Sequence, residues 1–557
     1  MCGIFFYGGR SYSADQLREH FTKIQHRGPD QSREVVLNSN NKTMFFGFHR
    51  LAIMGGLEES SSQPMIHNGL HLICNGEIFN YTDLCDRYGF SMRSGSDCEI
   101  ILHMYERFGI ERTVRELDAE FSFILWDSRI NSIFIARDPL GIRSLFWSYG
   151  SRESSISVEN AELFVASEAK ALTGISQYEI QQFPAGTWCE WNFDRLTSML
   201  YSLNTYFPLE FPRLTGEEAT EEAICEKLRE LVTAAVDKRM MSGRQIATLL
   251  SGGLDSTLVT ALVRRHFADH ELYTYSIGLQ GSVDLHYARQ AAEYLKTNHH
   301  EVVVTEEEFL GAIRETIQQI ETWDTTSIRA SVGNYLVSKY IRANSDNVVI
   351  FCGDLADEIF ASYRGFMQAP TADDFYRENV RMIRDVQYFD LLRSDKSISG
   401  AGLEARVPFG DNDLIRYVMS IPPELKMFSD SRMEKYLLRK AFDIDPIEDE
   451  ISYILPPELL YRRKEAFSDG VSSHERSWFQ IIREFVDTQV SDEEYEQEIA
   501  KLSDRENIPY DKESYYYWKI FQEFYPGCEN MIPYYWRHPF NENKDPSARL
   551  LQCYRNT

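Results

Sequence analysis

The sequence predicts two domains: an α+β domain of stacked antiparallel sheets flanked by helices, then an α/β domain on a doubly wound parallel sheet. Three observations lead there. The chain has 557 residues, too many for one hydrophobic core to grow comfortably. Through about residue 205 it offers short apolar or alternating runs closed by turn residues, at Gly3 to Gly8, Met44 to Ile53, Leu70 to Ile78, Ser122 to Asp127 and Ser132 to Ala136. Helical candidates are few there, chiefly Asp15 to Ile24 and Cys98 to Arg107. After Tyr206 to Thr215, where Pro208 and Pro212 break the pattern, strand-like runs at Ile246 to Leu250, Leu272 to Leu279 and Val348 to Cys352 alternate with longer helical stretches. The expected domains are therefore 2–207 and 217–557.

Composition narrows the function classes. Apolar residues make up 43% and aromatics 13%, as in ordinary globular proteins, and no apolar run is long enough to cross a bilayer. With 58 basic and 85 acidic residues the net charge is −27, which repels nucleic acid and anionic membrane. The start, Met1-Cys2-Gly3-Ile4, lacks the basic, apolar and small-residue regions of a secretory signal, so the cytoplasm is the expected location. Nine scattered cysteines without CxxC or Cys/His spacing argue against a disulfide framework and a structural zinc. Cys74, Cys98 and Cys352 read as packed thiols, and Asp492 to Glu498 as a solvated helix face.

Cys2 is different in kind. If Met1 is trimmed, Cys2 carries a thiol beside a free α-amine whose pKa of about 7.7–8.0 lets it serve as the thiol's base. The motifs His26-Arg27-Gly28-Pro29-Asp30, His49-Arg50-Leu51-Ala52-Ile53, Asn75-Gly76-Glu77-Ile78-Phe79-Asn80 and Gly95-Ser96-Asp97 follow in order. With Cys-Gly-Ile at the start, this first half resembles the class II glutamine amidotransferases, which implies an Ntn-hydrolase type of fold. The resemblance implies Cys2 as nucleophile, the Asn75 side chain and Gly76 N–H as oxyanion donors, and Arg50 on the glutamine carboxylate. It further implies Glu77 and Asp97 on the substrate ammonium, with Leu51 and Ile53 completing the pocket.

The second signal is a strand, a glycine turn and a helix: Ile246 to Leu250, then Ser251-Gly252-Gly253-Leu254-Asp255-Ser256, then Thr257 to Arg265. Two glycines and a helix start suit a phosphate, and the absence of GxxxxGK[ST] argues against a P-loop enzyme. The hexapeptide resembles the pyrophosphate loop of ATP pyrophosphatases, in which a carboxylate attacks the α-phosphate of ATP. Implied nucleotide contacts are Leu249, Ser251, Gly252, Gly253, Asp255, Ser256, Ile277 and Gly353. Implied magnesium ligands are Asp255 and Asp357, since magnesium prefers carboxylate and phosphate oxygens. Lys464, in Arg463-Lys464-Glu465-Ala466-Phe467-Ser468-Asp469-Gly470, matches a family lysine that neutralises departing pyrophosphate.

The segment Glu321 to Ser331 is similar to the asparagine synthetase stretch that contacts aspartate and its adenylate, here through Thr326, Ser327 and Arg329. Glu404 to Phe409, Met433-Glu434-Lys435 and Asp545-Pro546-Ser547-Ala548-Arg549 match the same family. The resemblance implies glutamine, aspartate and ATP as substrates, and family members are often dimers through the first domain. One segment departs: for the family's SGEGSDE the chain reads Cys352-Gly353-Asp354-Leu355-Ala356-Asp357-Glu358, so the catalytic glutamate is Asp354. Leu355 stands for a glycine, Ala356 for a serine, and Ala361-Ser362 for Gly-Gly. Backbone compensation that keeps Asp354 functional is the expectation. Two other readings remain open: adenylation of a different acid, and a glutaminase or regulator with an impaired synthetase site.

Overall fold

The computed structural model describes residues 1–39, 41–151, 160–192, 201–444, 454–465, 467–473, 475–502 and 507–547; Ala466, Ala548 and Arg549 of the motifs above lie outside them. Two six-stranded antiparallel sheets build the first half. In the first sheet Gly3–Gly9 lies between Lys42–Arg50 and Glu162–Ala166. In the second, Leu70–Ile78 pairs with Ala119–Asp127, which pairs with Ser132–Arg137. All five strand runs expected from the sequence are present.

Strand alternation sends neighbouring side chains to opposite faces, and this sorts the layers. Ile4, Phe6, Phe46, Ile73, Ile124 and Ile135 meet between the two sheets. Phe5 and Phe45 face outward onto Leu17 and Phe21 of the helix Ala14–Thr22. On the far side Leu70, Leu72 and Cys74 pack against Ile101, Met104 and other residues of the helix Ile100–Phe108. Helix, sheet, sheet and helix thus form four layers.

Tyr206 to Thr215 connects the halves, but it is anchored: Phe207 and Phe211 are buried, and Leu214 N–H donates to Ser420 O at 2.8 Å. The second half holds a five-stranded parallel sheet in the order Asn298–Val304, Tyr273–Leu279, Gln245–Leu249, Asn347–Phe351, Glu404–Arg406. Asn347–Phe351 is buried along its whole length, as a strand covered on both faces must be. Chain order reverses between Gln245–Leu249 and Asn347–Phe351, so the loops after these strands flank a crevice at the sheet's C-terminal edge. Those loops are Leu250–Gly253 and Cys352–Leu355. Two strands escaped the sequence reading: Asn298–Val304, a half-exposed edge, and Glu404–Arg406, only three residues long.

Asp492 to Glu498 falls in the helix Asp492–Lys501, which buries no residue. No helix among the described residues is long and apolar enough to cross a membrane. Cys74, Cys98 and Cys352 are buried free thiols.

Candidate active sites

Cys2 stands at the head of the central strand of the first sheet. Its backbone N–H donates to Asn75 Oδ1 at 2.9 Å, and its thiol lies 3.7 Å from Leu51 O. Asn75 and Gly76 sit inside the strand Leu70–Ile78, not in a turn. A Cβ on Gly76 would stand 2.4 Å from Glu120 O, so only glycine allows this close approach of strands. Asn75 Nδ2 is buried and has no hydrogen-bond partner. A donor left unsatisfied costs free energy unless something arrives to accept from it, as an oxyanion would.

Arg50 is buried at the strand end, its guanidinium donating to the carbonyls of Met54 and Glu58 at 3.0 and 3.3 Å. Ile53 N–H donates to Leu51 O, which shapes the loop beyond Arg50. Glu77 and Asp97 are both buried, and Asp97 accepts from Ile78 N–H at 2.7 Å. Burial pushes the Asp97 carboxyl up to about 6, against the backbone hydrogen bond. Burial, followed by Asp97 and Glu404, lifts Glu77 well above the ordinary range, although Arg406 lies 3.4 Å away. The pair therefore favours a ligand cation that restores both charges.

With Met1 attached, the N-terminus is closed. Met1 is buried between the halves: its ammonium donates to Leu403 O at 3.1 Å and lies 3.9 Å from Glu404, while Arg27 and Arg143 contact its sulfur. Burial pushes the Cys2 thiol up to about 11, and its own nitrogen is an amide that cannot act as a base. Removal of Met1 would convert that amide into an amine.

The second site is the crevice predicted by the sheet order. Its walls include Leu249, Ser251, Gly253, Asp255, Ser256, Gly353, Asp354, Asp357 and Lys464. Gly252 adopts φ +72°, and a Cβ there would lie 2.4 Å from Ala288 N, so it shapes the turn without lining the cavity. Ile277, expected to contact the nucleotide, is buried and does not line the cavity. Thr326, Ala330 and Asn334 line it from the helix Thr325–Asn344, one residue every four on a single face. The Thr326 hydroxyl is buried without a partner.

That helical phase corrects two expectations. Ser327 gives both its N–H and its hydroxyl to Asp324, capping the helix. Arg329 points away from the cavity and is clamped by Glu513, with two contacts of 2.7 Å, and by Asp545, with two of 3.0 Å. Four of its five N–H donors hold the C-terminal segment to the helix, so it does not line the cavity.

The sequence reading gave Lys435 no role, yet it sits at the centre of the site. Its ammonium lies 2.5 Å from both Asp255 and Asp357, and Lys464 approaches Asp357 at 2.6 Å. Burial alone would raise the Asp357 carboxyl, but Lys435 and Lys464 outweigh it and hold Asp357 far below its usual range. Asp255 Oδ1 is buried and unpartnered in the same cluster, so carboxylate oxygen is available to a hard cation.

A family model described as asparagine synthase matches residues 227–381 and 367–545, and one described as a glutamine amidotransferase domain matches residues 1–196. Among curated relatives, the asparagine synthetase [glutamine-hydrolyzing] of Gallus gallus is 38% identical over 100% of this chain and 99% of its own length. That of Rattus norvegicus is 37% identical, with full coverage of both chains. A probable asparagine synthetase [glutamine-hydrolyzing] from Acanthamoeba polyphaga mimivirus is 34% identical over 99% of this chain and 100% of its own. The chain belongs to the glutamine-hydrolysing asparagine synthetase family.

Against that family's pattern the loop after Asn347–Phe351 is the departure, and its backbone shows how the change is absorbed. Leu355 adopts φ +76° and Ala361 φ +52°, the left-handed region that glycine occupies freely. For a non-glycine residue this costs about 1–2 kcal/mol. Leu355 offsets it by burying its side chain, which is 1% exposed. Ser362 gives its hydroxyl to Asp357. Asp354 lines the cavity, accepting from Ser394 at 2.5 Å and from Arg393 at 3.3 Å. The helix Asp390–Ser399 faces both halves of this family member: Ser394 holds Asp354, while Asp395 takes Arg27 at 2.9 Å and the Ser144 hydroxyl at 2.8 Å.

Proposed function

We propose that the chain makes asparagine from aspartate, drawing nitrogen from glutamine and energy from ATP, with division of labour between 2–207 and 217–557. The observation that carries this is the joint geometry: an N-terminal thiol beside an unsatisfied amide donor, and a switch-point cavity with paired carboxylates and lysines, bridged by Asp390–Ser399. After trimming, the Cys2 amine takes the thiol proton and the thiolate attacks the glutamine amide carbon. Asn75 Nδ2 and the Gly76 N–H donate to the oxyanion, Arg50 holds the α-carboxylate, and Glu77 with Asp97 holds the ammonium. Collapse expels ammonia and leaves a thioester, which water hydrolyses to glutamate.

In the second half the aspartate side-chain carboxylate attacks the α-phosphate, releasing pyrophosphate. Ammonia then displaces AMP from the acyl-adenylate. Lys464 offsets charge on the departing pyrophosphate, and Asp354 takes the proton lost by the attacking nitrogen. Asp255 and Asp357 would hold magnesium, which supplies charge neutralisation at the phosphates. An enclosed route between the sites keeps ammonia unprotonated. A cytoplasmic location and a homodimer joined through the first half go with this reading.

Cys2→Ala is the test. Asparagine formation from glutamine should fall at least a thousandfold while formation from ammonia persists; equal loss of both contradicts the proposal. A second reading, impaired synthesis at the altered loop, is favoured by the strained Leu355 and the shortened Asp354. It predicts that Asp354→Glu raises the ammonia-dependent rate more than tenfold, whereas the main reading expects a change of only a few fold.

A further inference from the structure

We propose that the Lys435 ammonium is a resident counter-ion of the Asp255–Asp357 pair, keeping divalent cations out of the synthetase site until a nucleotide arrives. The inference rests on the reading of these two aspartates as magnesium ligands.

The contacts define the state. Lys435 Nζ binds Asp255 Oδ2 and Asp357 Oδ1, Lys464 Nζ binds Asp357 Oδ2, and the Ser362 hydroxyl also binds Asp357 Oδ1. Of the four carboxylate oxygens, only Asp255 Oδ1 has no partner. Two carboxylates and two ammoniums sum to zero. Of the arginines lining the cavity, Arg393 is committed to Asp390 and Asp354, Arg462 to Asp284 and Arg439 to Glu434. A bare divalent ion would enter a largely buried cluster whose two aspartates are already neutralised by two ammoniums. In low dielectric that is strongly unfavourable. A triphosphate brings several negative charges, so metal and nucleotide together are accommodated where metal alone is not.

The local backbone supports a functional placement. Lys435 adopts φ +54° as the residue capping the start of the helix Tyr436–Phe442. A left-handed backbone is costly for lysine, and a cation at a helix start opposes the helix dipole. Neither feature helps the fold. Both are tolerated where the aspartate pair requires a cation.

Manganese serves as the probe, with bound ion counted as the Mn2+ retained with the purified full-length protein in rapid ultrafiltration, through which free Mn2+ and its soluble nucleotide complex pass. Without nucleotide, Lys435→Met should bind one Mn2+ at least tenfold more tightly than the unsubstituted protein, and adding Asp357→Asn should remove that gain. Lys435→Gln provides the same comparison should the methionine variant fail to fold. With α,β-methylene ATP present, the unsubstituted protein should take up Mn2+ and Asp357→Asn should not. Equal Mn2+ affinity of the unsubstituted and Lys435 variants without nucleotide overturns the inference. If Asp357→Asn leaves nucleotide-dependent uptake unchanged, the ligand assignment itself fails.

Discussion

The two sites satisfy their charges in opposite ways. Around Cys2, the buried Glu77 and Asp97 share Arg406 with Glu404, and Asn75 keeps a donor without a partner. Around Asp255 and Asp357, two lysines already neutralise the carboxylates. The first site keeps an open deficit, which in the proposed reaction one ammonium and one oxyanion fill. The second holds its own counter-ions, suited to ligands that arrive as metal and polyphosphate together. The difference teaches that buried carboxylates alone do not identify a cation site: who already occupies their oxygens decides it.

The sharpest break of this contrast is Asn75→Ala. Losing one oxyanion donor should slow glutamine hydrolysis by about 10²–10³-fold, measured as glutamate release, with ammonia-dependent synthesis unchanged. A drop below tenfold would mean that Nδ2 has another purpose.

Next is pH. Burial pushes Asp97 up to about 6 in the free protein and Glu77 well above the ordinary carboxylate range, while in the proposed mechanism the glutamine ammonium binds their ionised forms. Protonation as pH falls through this range therefore competes with substrate. The Asp97 proton alone should raise the KM for glutamine about tenfold per pH unit below 6, and the Glu77 proton steepens that rise, with a smaller change in kcat. A flat KM between pH 5 and 7 would show that both carboxyls are ionised before glutamine binds.

The smallest effect separates strain from packing at Leu355. Truncating a buried leucine costs about 2–5 kcal/mol, against about 1–2 kcal/mol of left-handed strain, so packing wins and both Leu355→Ala and Leu355→Gly lower the Tm. Glycine relieves the strain and alanine does not. Leu355→Gly should therefore melt a few degrees above Leu355→Ala, the reverse of the order at an ordinary helix position. The opposite order would deny that the loop carries strain.

Much of this was legible in the sequence because the chemistry sits in contiguous runs. Cys2, Asn75-Gly76 and Ser251 to Ser256 combine a reactive group with a backbone requirement, and a strand or turn delivers both at once. Arg329 was misread because its face of the helix depends on Glu513 and Asp545, 184 and 216 residues away. Lys435 was missed because its meaning lies in two aspartates distant along the chain, not in its neighbours. Glu404–Arg406 escaped because three residues carry no periodicity, although Arg406 reaches Glu77 in the other half.

Transfer of nitrogen from one site to the other is tested most directly by isotope competition. Asparagine should be made from [amide-15N]glutamine in the presence of a large excess of unlabelled ammonium, with the product's amide nitrogen read by mass spectrometry. Product labelled far beyond the isotope ratio of the free ammonium pool is the predicted result. Label diluted to that ratio would show that ammonia escapes to solvent between Cys2 and the nucleotide cavity, and would contradict the account.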